Sequence, residues 1–191
     1  MNSRPWMIGL LIIMAVVCST ALALVNIKTS PIIERNREIA YMSTVLEVFG
    51  IPFSPDDRDG IVETYRQSID ESERDGLTLF RDKSGERTAV SIEGGGFQGQ
   101  ISLVVALDGD TITGFKIVDQ VETPGLGARI TEPEFQMSFK GKKVADGIRM
   151  TKSGSAGPSE FDAITGATET SRALEKILNR GFERYFAATG R

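Results

Sequence analysis

The residues QISLVVALDGDTITGFKIV, Gln100 to Val118, set the architecture. Two runs rich in Ile, Val, Leu and Thr flank Asp108-Gly109-Asp110, and turn residues between β-branched runs are a hairpin signal. Antiparallel strands are therefore expected over Gln100 to Leu107 and Thr111 to Val118. Working outward, Leu77 to Arg81 and Thr88 to Ile92 repeat the pattern around Lys83-Ser84-Gly85. Between the second of these and Gln100 lies GGGFQG, Gly94 to Gly99, which opens no helix and lacks the Lys-Ser/Thr ending of a phosphate loop. It is read as a wide turn or bulge, with close approach of a ligand as the lesser alternative. Downstream come a short helical piece around Glu132 to Phe139, the turn FKGK and a Gly/Ser/Pro-rich loop from Ser153 to Ser159. The chain closes with a helix whose Leu174, Ile177, Leu178, Gly181, Phe182 and Tyr185 form one stripe. A helix packed on an antiparallel sheet makes the class α+β.

The N-terminal part has a different character. Pro5 to Ile27 carries no charge, and such a run crosses a hydrocarbon core of about 30 Å as one helix. It is read as a single transmembrane anchor, against the alternative of a signal peptide cleaved after Ala21-Leu22-Ala23. Arg4 stands before it and Lys28, Arg35 and Arg37 after it, a count that by itself favours a cytoplasmic C-terminal domain. From Ser30-Pro31 to Phe49, Ile32, Ile39, Met42, Val45, Leu46 and Phe49 recur at helical spacing, and Gly50 and Pro52 end the pattern. Ser54 to Gly76 is expected to be a charged surface connection with a short strand around Ile61 to Tyr65. The division is thus an anchor over 1–27, a membrane-proximal helix and connector over 28–76, and a globular domain over 77–191.

Composition removes several function classes. In 191 residues, 40% hydrophobic and 25% charged, one domain plus a small extra segment is the economical reading. The net charge of -4, without a long basic run, argues against nucleic acid as a partner. There is no histidine, and Cys18 is the one cysteine, so a zinc site, a haem axial histidine and Ser-His or Cys-His nucleophiles are excluded. No residue is read as a general acid or base.

Against that inventory, DAITGATETS, Asp162 to Ser171, places three threonines and a serine around Gly166 just before the last helix. A helix N-terminus offers free N–H groups and a positive dipole end to an anion, and Gly166 with Ala167 lets the backbone approach a phosphate. The alternative is helix capping by Thr168, Thr170 or Ser171.

Asp162-Ala163-Ile164-Thr165-Gly166-Ala167-Thr168 resembles, position by position, the flavinylation motif of the FMN-binding domains of Rnf complexes and Na+-translocating NADH:quinone reductases. Glu122-Thr123-Pro124-Gly125-Leu126-Gly127 is similar to the family's ETPGLG segment. The resemblance extends from about Gly96 to the C-terminus, and the membrane anchor fits the same proteins. It implies FMN, one per chain, esterified through its phosphate to Thr168 by a flavin transferase that cleaves FAD with magnesium. It also implies Leu126 as an apolar wall for the ring, and Thr123, Gly127 and Thr165 near the ring or phosphate. Glu122 either orients its loop or contacts the flavin, with an exposed carboxylate at a turn as the equal alternative, and Asp162 serves the transferase as a recognition or metal-assisting residue, against ordinary helix-entry capping. Lys140 and Lys142 are read as solvated lysines at a turn, with approach to the phosphate as the lesser alternative. The implied role is an electron-transfer subunit of an ion-translocating oxidoreductase, working with other membrane subunits rather than as a self-sufficient enzyme. Its domain would lie on the extracytoplasmic side of the cytoplasmic membrane, against the charge count. Asp119-Gln120-Val121 departs from Rnf-type members, which commonly carry a histidine there, while the short chain resembles the G subunit of Rnf more than the longer C subunit of the quinone reductase.

Overall fold

The computed structural model describes residues 4–85, 87–152, 154 and 156–190. Residues 1–3 of the expected anchor, Ser153 and Ser155 of the expected loop, and Arg191 lie outside the described residues. The chain forms two compact units, Met1–Ala40 and Tyr41–Arg191. Its first element, α1, runs from Arg4 to Phe49 with Pro31 inside it. The expected separate helix beginning at Ser30-Pro31 is thus the continuation of one helix. Proline removes a single N–H, and neighbouring turns can carry the helix past it. From Trp6 to Ile33 the large apolar side chains of the first unit are mostly exposed, whereas Ile39 is buried, and this helix is long and apolar enough to cross a membrane.

In the second unit, α2 (Arg58–Ser68) replaces the strand expected over Ile61 to Tyr65. Asp57 accepts the Gly60 N–H as N-cap, and Ile61 and Tyr65, four residues apart, give the helix one buried stripe. Five strands follow as an antiparallel meander: β1 (Ile69–Arg74), β2 (Leu77–Asp82), β3 (Thr88–Gly95), β4 (Gln100–Asp108) and β5 (Thr111–Gln120). The hairpin over Gln100 to Val118 has the expected sense. Ile101 pairs with Gln120 and Asp108 with Thr111, with irregularities at Ser102/Leu103 and Ala106/Leu107. β1 is an addition to the expected strands, because IDESER buries only Ile69 and otherwise looks like solvent-facing chain. The short α3 (Pro133–Met137) matches the helical piece expected there. The parallel pair β6 (Arg149–Thr151) and β7 (Glu160–Asp162) is a second addition. The chain ends in α4 (Thr168–Thr189).

β4 is buried on both faces, which is why its sequence is a continuous apolar run. Leu103, Val105 and Leu107 share one core with Leu174, Leu178 and Phe182 of α4. Each such fully buried side chain contributes about 1.5–3 kcal/mol. Gly181 sits against Ile92, where a Cβ would lie 2.5 Å from its side-chain atoms, so α4 lies close on β3. Phe115, Phe139 and Phe161 extend this core towards β7, with the first two rings stacked 4.1 Å apart. On the opposite face Phe80 meets Tyr41 edge-on, and the backbone of Gly114 meets that of Val48.

Two measurements check this packing. A Cβ at position 114 would overlap the Val48 carbonyl oxygen, so Gly114→Ala is expected to lower unfolding stability by about 1–3 kcal/mol in denaturant titration. Asp82, nearly buried, accepts hydrogen bonds from the Ser84 N–H and Arg87. The Ser84 N–H holds its carboxyl below the usual carboxylate range; burial opposes that shift, while the Arg87 guanidinium adds to it. Its stabilisation is present above the ordinary carboxylate pKa and is lost as pH falls through the lowered folded value. Thermal melts from pH 6 downward should therefore lose less stability in Asp82→Asn than in wild type.

Candidate functional site

The loop after β5 and the start of α4 meet beside the β3–β4 turn. Between them opens a cleft of about 330 Å³ lined by Phe97, Thr123, Leu126, Gly127, Gly166, Ala167, Thr168, Glu169 and Thr170. The turn Ile164 to Ala167 closes with Ala167 N–H donating to the Ile164 carbonyl, and Gly166 takes a positive φ of 82°. That left-handed conformation favours glycine, and it sets the backbone directly before α4 against the Leu126 side chain. Ala167 is the N-cap and supplies no side-chain hydrogen bond to the first turn. The anion-accepting end of α4 therefore faces the cleft without a capping side chain.

The four hydroxyls of the motif have different surroundings. Ser171 is buried; its Oγ accepts the Ile164 N–H at 3.0 Å and donates to the Ala167 carbonyl at 3.0 Å. Thr170, also buried, donates to Glu122 Oε2 at 2.6 Å. Neither caps the helix. Thr168 is half-buried on the cleft, and its hydroxyl makes no hydrogen bond among the described residues. Thr165 is exposed on the preceding turn and outside the cleft lining.

Glu122 lies behind the lining. Its side chain is buried, with the residue 5% exposed. Oε1 accepts the N–H groups of Phe97 at 2.8 Å and Gln98 at 3.0 Å, so one carboxylate joins the β3–β4 turn to the first turn of α4. Its own N–H donates to Gln120 Oε1 at 2.6 Å. Little space is left around it: at Gly127 a Cβ would come within 2.5 Å of Thr170 Oγ1 and 2.7 Å of Glu122 Oε2, and at Gly96 it would overlap Oε1. Of the two roles considered for Glu122, orientation of the loop is the one its hydrogen bonds perform.

Among the residues singled out from the sequence, Thr123, Leu126, Gly127, Gly166, Ala167 and Thr168 come together on the cleft. Asp162 is exposed at the end of β7 and does not line it. Lys140 lines a separate groove with Phe49 and Phe115, and Lys142 donates to the Gly157 carbonyl, so neither lysine lines the cleft. Phe97, Glu169 and Thr170 line it although the sequence reading gives them no ligand role. An aromatic residue between glycines in a turn is the available signal for Phe97, which is 60% exposed at the cleft mouth.

The arrangement suits a planar ring carrying a phosphate. Leu126 and Phe97 offer apolar surface, while the start of α4 and the Thr168 hydroxyl offer the polar end. Comparison with known proteins narrows that class. Residues 96–183 match the FMN-binding domain family, the family recognised in DAITGAT and ETPGLG. The chain is 41% identical over 113 residues to the G subunit of the ion-translocating oxidoreductase complex of Methanosarcina acetivorans, covering 57% of each chain. It is 39% identical over 102 residues to the G subunit of the proton-translocating ferredoxin:NAD(+) oxidoreductase complex of Clostridium ljungdahlii, covering 53% of this chain and 54% of that one. The matches thus span little more than half the length of these relatives. The fold is similar to that of the C subunit of the Na(+)-translocating NADH-quinone reductase of Parabacteroides distasonis, with a TM-score of 0.67 and 24% identity over 80% of this chain and 92% of that one.

The contrast between neighbouring hydroxyls is testable by equilibrium unfolding. Thr170→Val leaves Glu122 short of a donor and should cost about 1.5–3 kcal/mol, the range for hydrogen bonds to charged groups. Thr168→Val breaks no internal hydrogen bond and should stay within about 0.5 kcal/mol of wild type.

Proposed function

We propose that the chain is a membrane-anchored electron-transfer subunit of an ion-translocating oxidoreductase of the Rnf, ferredoxin:NAD+ type, carrying one FMN as a phosphoester on Thr168. The observation that carries the reading is the unengaged Thr168 hydroxyl at the uncapped start of α4, opening on a cleft with an apolar lip. The match to FMN-binding domains and the names of the two G-subunit relatives support it. FMN, when bound, supplies the electron uptake and release. The chain's own residues would hold it: the start of α4 would receive the phosphate charge, Leu126 and Phe97 would offer apolar surface to the ring, Thr123 and Gly127 would complete the wall, and Glu122 keeps these segments in place.

Attachment needs no base in this chain. The Thr168 oxygen forms a bond to the FMN phosphorus of FAD, the pyrophosphate bond breaks, AMP leaves, and the hydroxyl proton passes to a base on a separate flavin transferase. Magnesium on that enzyme polarises the pyrophosphate. Asp162, exposed shortly before the acceptor, is available for recognition by the transferase. Membrane subunits of the same complex are the proposed partners, and the flavin domain is proposed to lie on the extracytoplasmic side of the cytoplasmic membrane, a reading supported by the family resemblance alone. The similarity in fold to the C subunit of a quinone reductase supports a second reading, the equivalent subunit of that complex.

Co-expression with a flavin transferase tests the proposal by intact mass. Wild type should gain the mass of one FMN less water and fluoresce after denaturing electrophoresis, and Thr168→Val should show neither. A wild-type chain that stays at its unmodified mass would contradict covalent attachment, and one that also takes up no FMN from solution would favour a non-redox binding or assembly module.

A further inference from the structure

The candidate cleft is backed by the buried carboxylate of Glu122. Three donors converge on Glu122: the Phe97 and Gln98 N–H groups on Oε1 and the Thr170 hydroxyl on Oε2. A group that accepts from every side matches the acceptor-only carboxylate. No ion pair to Glu122 occurs among the described residues. Of its surroundings, Phe97, Gly127 and Thr170 belong to the cleft lining, so the charge sits one layer behind the surface a ligand would touch. Water hardly reaches it, and a buried charge is only weakly screened by salt.

We propose that Glu122, besides positioning the cleft walls, acts as a fixed negative charge that makes a bound flavin harder to reduce. The inference rests on the reading of the cleft as an FMN site, though not on the phosphoester. An electron entering a group beside a fixed anion is opposed by Coulomb repulsion, so the carboxylate depresses the midpoint potential and a neutral amide relieves it. Glu122→Gln keeps the size and a carbonyl oxygen for the Phe97 and Gln98 N–H groups, while the Thr170 hydroxyl can turn to accept from the new amide. Thr170→Val removes a hydrogen bond and leaves the charge, which separates loss of packing from loss of charge.

The test is a dithionite titration, with redox mediators and flavin absorbance as readout, of the full chain carrying attached flavin. Where the wild type lacks the phosphoester, FMN is supplied from solution. Glu122→Gln should have a midpoint above wild type at low and high salt, and Thr170→Val one at or below wild type, with melting curves recorded on the same samples. A Glu122→Gln midpoint equal to or below wild type overturns the inference, and so does an equal rise in both variants. A wild type that binds FMN only from solution contradicts the covalent reading alone, whereas one that holds no FMN by either route overturns both.

Discussion

The carboxylate of Glu122 is the interaction on which the candidate site depends. Its three hydrogen bonds reach residues 97, 98 and 170, so the β3–β4 turn and the start of α4 are fixed through one side chain on the loop after β5. Burying a carboxylate is costly unless its oxygens are satisfied, and here the donors that satisfy it are parts of the structures that form the cleft. The same requirement explains two glycines. Any side chain at Gly96 or Gly127 would enter the space held by the carboxylate or by Thr170.

Around that anchor the hydroxyls divide the work. Ser171 closes the turn before α4, Thr170 completes the shell of Glu122, and Thr168 is left with a free oxygen at the cleft. A cluster that looks redundant in sequence is therefore two structural hydroxyls, one free hydroxyl on the cleft and, at Thr165, one exposed on the preceding turn outside it. The sequence holds no histidine, and the Thr168 hydroxyl is bonded to no other side chain among the described residues, which suits the proposal that a separate enzyme supplies the base. Packing of α4 on β3 supplies the rigidity this needs, because Leu174, Leu178 and Phe182 are buried in the main core.

Much of the fold is legible in the sequence where local chemistry and tertiary structure agree. The strands from Leu77 to Gln120 carry β-branched runs between turn residues, and the final helix carries one apolar stripe, so class and order are readable. The failures are equally physical. α2 looks like a strand because Ile61 and Tyr65 stand in a charged segment too short to show its period plainly, and the Asp57 cap is the start signal that such a reading overlooks. β1 and the β6–β7 pair exist through pairing rather than pattern, since β1 buries one side chain and the other two strands are three residues each. Within the site, ETPGLG and ITGAT are visible as motifs, whereas the burial of Glu122 is not. A glutamate in a proline- and glycine-rich loop looks solvent-facing until the turn at Phe97 and the helix at Thr170 are folded over it.

The most direct measurement is the position of the modification. Trypsin should release Ser153 to Arg172 as one peptide from the flavin-loaded protein, and fragmentation by tandem mass spectrometry then assigns the phosphoester to a residue. FMN on Thr168, the free hydroxyl that lines the cleft, is the expected result. FMN on Thr165, Thr170 or Ser171, or an unmodified peptide from protein made with an active transferase, would contradict it.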